Sequence, residues 1–272
     1  MAIIDAYKMD GLGNAFLIID RRKNKINLEK KKIIQLARND QINFDQLIYI
    51  DNKLKDEYPV EFFNSDGNEI DACGNGSRCI AYLLGQENNI VDVHIKTKER
   101  VLKAKILDQS NVLINMGTPS FDWKKIPLSK NLDPQNISIK IDGQMFNNGF
   151  ALNVGNPHII FFVEDCFKIN INQVGSKIEN HNLFPEKCNV TFAQIVNKNN
   201  ITVNVWERGA GLTKACGTAA CATAVASYTK GMAENKVNIR FKEGVLNINF
   251  NESKEILMTG KVSEIQKIKV EL

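Results

Sequence analysis

The chain of 272 residues is 43% apolar and 24% charged, which excludes wholesale disorder and leaves room for a real core, in one large domain or two halves of roughly 130 residues. Its net charge of +4 is spread thinly, and basic runs such as Arg21–Lys25 and Lys30–Lys32 lack interleaved aromatics, so no nucleic-acid partner is expected. The opening MAIIDAYKMD has no basic segment followed by a long apolar one, and no stretch approaches the roughly 20 apolar residues that cross a bilayer; a cytoplasmic protein with no membrane partner is expected. Six cysteines are too sparse for a disulfide framework and are expected to be reduced.

In chain order, alternating or apolar runs predict strands at AIIDAYKM (2–9), FLIID (16–20), DQLIYID (45–51) and VEFF (60–63), with a helix at LEKKKIIQLAR (28–38). After Cys73 a helix is predicted in GNGSRCIAYLLGQ (74–86), then strands in VDVHIKT (91–97), VLKAKIL (101–107) and NVLINMG (111–117). The plan then repeats. Strands at GFALNVG (149–155), HIIFFV (158–163), NVTFAQIV (189–196) and ITVNVWE (201–207) accompany a helix at INQVGSKIENH (171–181). After Cys216 come a helix in GTAACATAVASYTKG (217–231) and strands in VNIRFKE (237–243), VLNINF (245–250) and EILMTGK (255–261). The pattern predicts an α+β fold of two pseudo-symmetric lobes, each a curled, mostly antiparallel sheet around a central helix, with the active site in the cleft between them. The first lobe takes residues 1–117 and the second 118–262; the last strand, within 263–272, lies outside the second repeat and is expected to return to the first lobe.

The repeated Cys-Gly turns point to chemistry. A thiol just before a helix sits where unpaired N–H groups and the positive end of the dipole favour an anion, which lowers a cysteine pKa. Gly74 and Gly217 leave those N–H groups open to a ligand carboxylate. A single such turn is more often structural than catalytic, but two at equivalent repeat positions reverse that preference. Two thiols on opposite sides of one carbon suit proton removal from one face and return to the other. No lysine context argues for pyridoxal phosphate, so no cofactor is expected. Cys79 and Cys221 look like small core residues and Cys166 and Cys188 like packing or surface residues; the 73–79 and 216–221 spacings do not suit zinc, and no metal is expected.

The motifs GLGNAF, FDQ, FFNSDGNEIDACGNGSRC, GNPH, FPEKCNV, WERGAGLTKACGTAAC and MTG closely resemble those of the diaminopimelate epimerase family and cover nearly the whole chain. The resemblance implies Cys73 and Cys216 as the catalytic pair, with His158 and Glu207 tuning the two thiols. It implies that Gly74, Asn75, Gly217 and Thr218 hold the substrate α-carboxylate. Asn14, Gln46, Asn64, Asn156, Asn189, Glu207 and Arg208 match substrate-contacting positions, and Arg208 can grip a distal carboxylate in bidentate fashion. The implied activity interconverts LL- and meso-diaminopimelate, on the route to lysine and peptidoglycan precursors. The implied partner is that small molecule, and a homodimer is left open.

Ala15 and Leu212 depart from the family pattern, where Asp and Glu are usual, which puts substrate affinity in question. Each matched residue also has a plain reading: asparagines as turn residues, His158 as a core histidine, and Glu207 with Arg208 as a surface pair. Two other functions stay open on the residues alone, a two-thiol racemase acting on proline or a related amino acid and a non-catalytic thiol module closing through a disulfide.

Overall fold

The computed structural model describes residues 3–23, 25–70, 73–98 and 100–272. The chain divides into two compact units, one of Met1–Asn115 with Thr259–Leu272 and one of Met116–Met258.

The first unit contains β1 (Ile3–Asp10), β2 (Ala15–Asp20), α1 (Lys30–Ala37), β3 (Gln46–Ile50), β4 (Glu57–Asn64), β5 (Glu69–Ile70), α2 (Gly74–Asn88), β6 (Asp92–Lys96), β7 (Val101–Ile106) and β8 (Asn111–Asn115). β1 runs antiparallel to β2, β2 parallel to β3, β3 antiparallel to β4, and β4 antiparallel to β5 and parallel to β6; β6, β7 and β8 then form a meander. The second unit contains β9 (Ile137–Ile141), β10 (Gln144–Asn153), β11 (Pro157–Phe162), α3 (Ile171–Glu179), β12 (Asn189–Asn197), β13 (Asn200–Glu207), β14 (Gly211–Leu212), α4 (Gly217–Thr229), β15 (Lys236–Arg240) and β16 (Val245–Phe250). Its pairings from β10 to β16 repeat those from β1 to β7, sense for sense. The chain then passes through β17 (Ile256–Lys261) to β18 (Gln266–Glu271), which lies antiparallel on β1, in register from Ile3 opposite Glu271.

β18 therefore does for β1 what β9 does for β10, since each covers the outer edge of the first repeat strand. The sequence patterns placed no strand at β9, β5 or β14. β5 and β14 are two-residue pairings, too short to carry a period. The sheets are mostly antiparallel, but each unit has two parallel pairs, and a helix bridges every one: α1 between β2 and β3, α2 between β4 and β6, α3 between β11 and β12, and α4 between β13 and β15. A parallel step needs such a crossover.

Burial follows the residue types. β2 and β11 are nearly continuous apolar runs and are buried along almost their whole length, as strands covered on both faces should be. β4 and β13 alternate buried and part-exposed residues. Eleven of the fifteen residues of α2 are buried, and ten of thirteen in Ala-rich α4, so both are core helices rather than amphipathic surface ones. α1 instead buries only Ile33, Leu36 and Ala37, in a cluster with Ile4, Leu17, Ile19 and Val270. Among the described residues no helix is long and apolar enough to cross a membrane.

Candidate active site

Cys73 and Cys216 occupy the same backbone position in their units. Each is the N-cap residue of a core helix, at φ −132°, ψ 118° and φ −135°, ψ 115°. The Cys73 sulfur accepts from the Gly76 N–H at 3.5 Å, and the Cys216 sulfur from the Ala219 N–H at 3.4 Å. A sulfur thus takes the place that a Ser or Asp oxygen usually fills at a helix start. The N–H groups of Gly74 and Asn75, and of Gly217 and Thr218, fall in the first turn, where helix geometry supplies no carbonyl partner.

Around Cys73 the first unit gathers Asn14, whose amide oxygen lies 3.7 Å from the sulfur. Asp45 holds that loop by accepting from Asn14 Nδ2 at 3.1 Å and from the Ala15 N–H at 2.8 Å. The Ala15 departure from the family pattern therefore leaves the backbone here anchored. Gln46 and Asn64 face each other across β3 and β4, with Gln46 Nε2 donating to Asn64 Oδ1 at 3.2 Å. Gln46 Oε1 is buried with no hydrogen-bond partner among the described residues. Asn75 is buried and accepts from Arg78 Nη2 at 2.9 Å; Arg78 itself is fully buried in α2.

In the second unit Glu207 ends β13. Its carboxylate takes a short hydrogen bond from the Thr213 hydroxyl and interacts with the Cys216 thiol. Burial pushes the Glu207 carboxyl up, against the lowering effect of those two donors. The helix start was expected to lower the Cys216 pKa, and the structure corrects this. Burial is the largest influence and pushes the thiol well up, the Glu207 charge adds to it, and the contacts with Thr218 and the Ala219 N–H oppose them without winning. The balance favours the protonated thiol of Cys216. Thr218 Oγ1 lies 3.4 Å from its sulfur.

His158, on β11, is fully buried, and burial followed by the nearby Arg208 charge holds it down to about 3. The ring is neutral. Its Nε2 pairs with Asn156 Oδ1 at 2.8 Å, while Nδ1 is buried with no hydrogen-bond partner among the described residues. With the Asn156 amide turned so that its oxygen meets the ring, Nε2 is the donor and Nδ1 carries the lone pair. Asn189 is buried and braces the same region, donating to the Pro157 carbonyl at 2.9 Å and accepting from the Arg208 N–H at 3.0 Å. The Arg208 side chain is exposed and donates to the Glu186 carbonyl at 3.3 Å.

The first unit thus brings together Asn14, Gln46, Asn64, Cys73, Gly74 and Asn75, and the second brings together Asn156, His158, Asn189, Glu207, Arg208, Cys216, Gly217 and Thr218. The supporting residues Asp45, Arg78 and Thr213 were not singled out from sequence. Asp45 adjoins Gln46 in FDQ, which was its one visible signal. Cys79, Cys166, Cys188 and Cys221 are all fully buried and, among the described residues, no cysteine is in a disulfide. Burial is also the main cause that pushes the thiols of Cys79, Cys166 and Cys188 up, so they behave as core residues.

Comparison with known proteins agrees with these motifs. A structure of a phenazine biosynthesis protein of the PhzF family from Enterococcus faecalis is similar in fold, with a TM-score of 0.71 over all of both chains at 14% identity. A structure of a probable proline racemase from Agrobacterium radiobacter gives a TM-score of 0.69 at 11% identity, over all of this chain and 93% of that one. The curated diaminopimelate epimerase of Pelagibacter ubique is 50% identical over 99% of both chains. The family description "Diaminopimelate epimerase" matches residues 6–122 and 150–265, and the chain belongs to the diaminopimelate epimerase family.

Proposed function

We propose that the protein interconverts LL- and meso-diaminopimelate by proton transfer at the α-carbon, with Cys73 and Cys216 as the two acid–base groups and no cofactor. The observation that carries this reading is the duplicate helix start, where two thiols share one cap geometry in two units of the same topology. Two-base inversion requires the thiols to reach opposite faces of one carbon, so each unit is read as a lobe supplying one thiol. The N–H groups of Gly74, Asn75, Gly217 and Thr218 hold the α-carboxylate and stabilise charge as the α-proton leaves. One sulfur, as thiolate, takes that proton while the other, as thiol, gives one from the far side; the next turnover in reverse exchanges the roles.

The neighbours suit the task. The family resemblance makes the neutral His158 a residue that tunes one of the thiols, and the Glu207 carboxylate adjoins the Cys216 thiol. Gln46 Oε1 is an unused acceptor for the substrate ammonium, and Arg208 an exposed cation for the distal carboxylate. Asn14, Asn64, Asn156 and Asn189 complete the polar surround. This chemistry needs reduced thiols, as the cytoplasm provides.

The test is incubation with LL-diaminopimelate in D2O. The expected result is meso product carrying deuterium at the inverted carbon, and a fall of at least about 10²–10⁴-fold in rate for Cys73→Ala and for Cys216→Ala. Inversion without deuterium uptake would overturn the mechanism, and no turnover of diaminopimelate would overturn the substrate.

A further inference from the structure

We infer that Glu179 is a positioning residue that sets the Glu207–Arg208 turn; the inference rests on the roles proposed for those two residues. Glu179 closes α3 and is only 5% exposed. Its two carboxylate oxygens reach either side of the turn: Oε2 accepts from the Trp206 indole N–H at 2.7 Å, and Oε1 from the Gly209 backbone N–H at 2.9 Å. One side chain therefore grips the residue just before Glu207 and the residue just after Arg208.

α3 is shaped for this grip. Gly175 lies one turn earlier on the same face, and a Cβ there would stand 2.6–2.9 Å from the Trp206 ring. The helix thus presents bare backbone to the face of the indole and a carboxylate to its N–H. The turn is tight, with Gly209 at φ +75° and the Ala210 N–H donating to the Glu207 carbonyl at 3.1 Å. Asn189 holds the Arg208 N–H between the two Glu179 contacts, and Thr213 holds the Glu207 carboxylate. A buried carboxylate is costly unless its hydrogen bonds are made, and here both oxygens accept from N–H donors of one short segment. Glu179 touches neither Cys216 nor the guanidinium of Arg208; it acts by fixing the backbone from which they are aimed.

The experiment compares wild type, Glu179→Gln, Trp206→Phe and Ile178→Val, the last a control that thins the core on the same helix. Glutamine has the same shape but one acceptor, so its amide must face the indole N–H or the Gly209 N–H. Amide hydrogen exchange across residues 207–211 is expected to quicken about tenfold in Glu179→Gln, less in Trp206→Phe, and not in Ile178→Val beyond its lowered melting temperature. In the same proteins KM for LL-diaminopimelate is expected to rise about tenfold in Glu179→Gln with kcat changed less than about threefold, since the grip on the distal carboxylate is loosened while the thiols remain. If Glu179→Gln does not fold, Trp206→Phe, which keeps the ring over Gly175 and loses one grip, decides the question in the same direction. Exchange and KM within twofold of wild type, or changes matched by Ile178→Val at equal loss of melting temperature, would overturn the inference. A wild type inactive on diaminopimelate would sink the substrate reading alone, and the exchange data would still decide the clamp.

Discussion

His158 is a base that folding has made almost impossible to protonate. Its folded pKa is near 3 against an ordinary value of 6.5, because burial disfavours the charged ring and Arg208 adds to the effect. Below pH 6.5 the unfolded chain binds a proton that the folded chain refuses, so this residue's contribution is full above pH 6.5 and is lost as pH falls toward 3. Compared with His158→Gln, which cannot titrate, wild type is expected to lose its relative stability by up to about 1.4 kcal/mol per pH unit between pH 6 and 4. Urea unfolding of both proteins over that range checks it; parallel pH profiles would show that the ring is charged in the folded state. The motif GNPH made His158 visible in the sequence, but its neutrality was not legible, because it comes from neighbours distant in the chain. The same holds for Cys216. Its place at a helix start was readable from Cys-Gly, whereas the burial that reverses the expected pKa shift depends on the packing of α4 and on Glu207.

At the level of the elements, the core helices begin in crowded surroundings. A Cβ on Gly76 would meet Ile48 Cδ1 at 2.9 Å, Phe62 Cε1 at 3.0 Å and Phe16 Cε1 at 3.2 Å. On an exposed helix Gly→Ala would add about 1 kcal/mol of stability through propensity. Here overpacking against side chains from three strands is the larger effect, and Gly76→Ala is expected to lose about 1–3 kcal/mol. A higher unfolding midpoint for the variant would refute that packing. The four helices were legible because each follows a strong local signal: an amphipathic stripe in α1 and α3, and the Cys-Gly start of α2 and α4. β9 was missed because ISIKI stands between turn-rich segments and beside the irregular register of β10, where the pairing shifts between Phe146 and Gly149. The parallel pairs were equally hidden, since alternation reports which face is buried and not which way a neighbour runs.

For the whole molecule, the repeat readable in the sequence is a repeat of pairings, with the edge position filled once by β9, which precedes its repeat, and once by β18, the last strand of the chain. Val270 shows how closely β18 is built in: it is fully buried among Ile4, Leu17, Ile19 and Leu36. Val270→Ala is expected to lower stability by about 2 kcal/mol, far more than a substitution on a loosely docked tail. Calorimetry would show it, and an unchanged melting temperature would mean that β18 adds little to the first core. The fold class and the return of the last strand were legible because the hydrophobic pattern of KIKVEL has no place in the second repeat. The identity of its partner strand was not, since nothing local names β1.

That pairing sets an order on synthesis. The second unit is one unbroken stretch of chain, Met116–Met258, while the first is interrupted by it and lacks β18 until the whole of the second has been made. At about 5–20 residues per second, β1 leaves the ribosome long before its outer neighbour exists. In that interval its edge is open to pairing with other nascent chains. The later-made half can thus fold first, and the earlier-made half is the one that must be kept from aggregating while it waits.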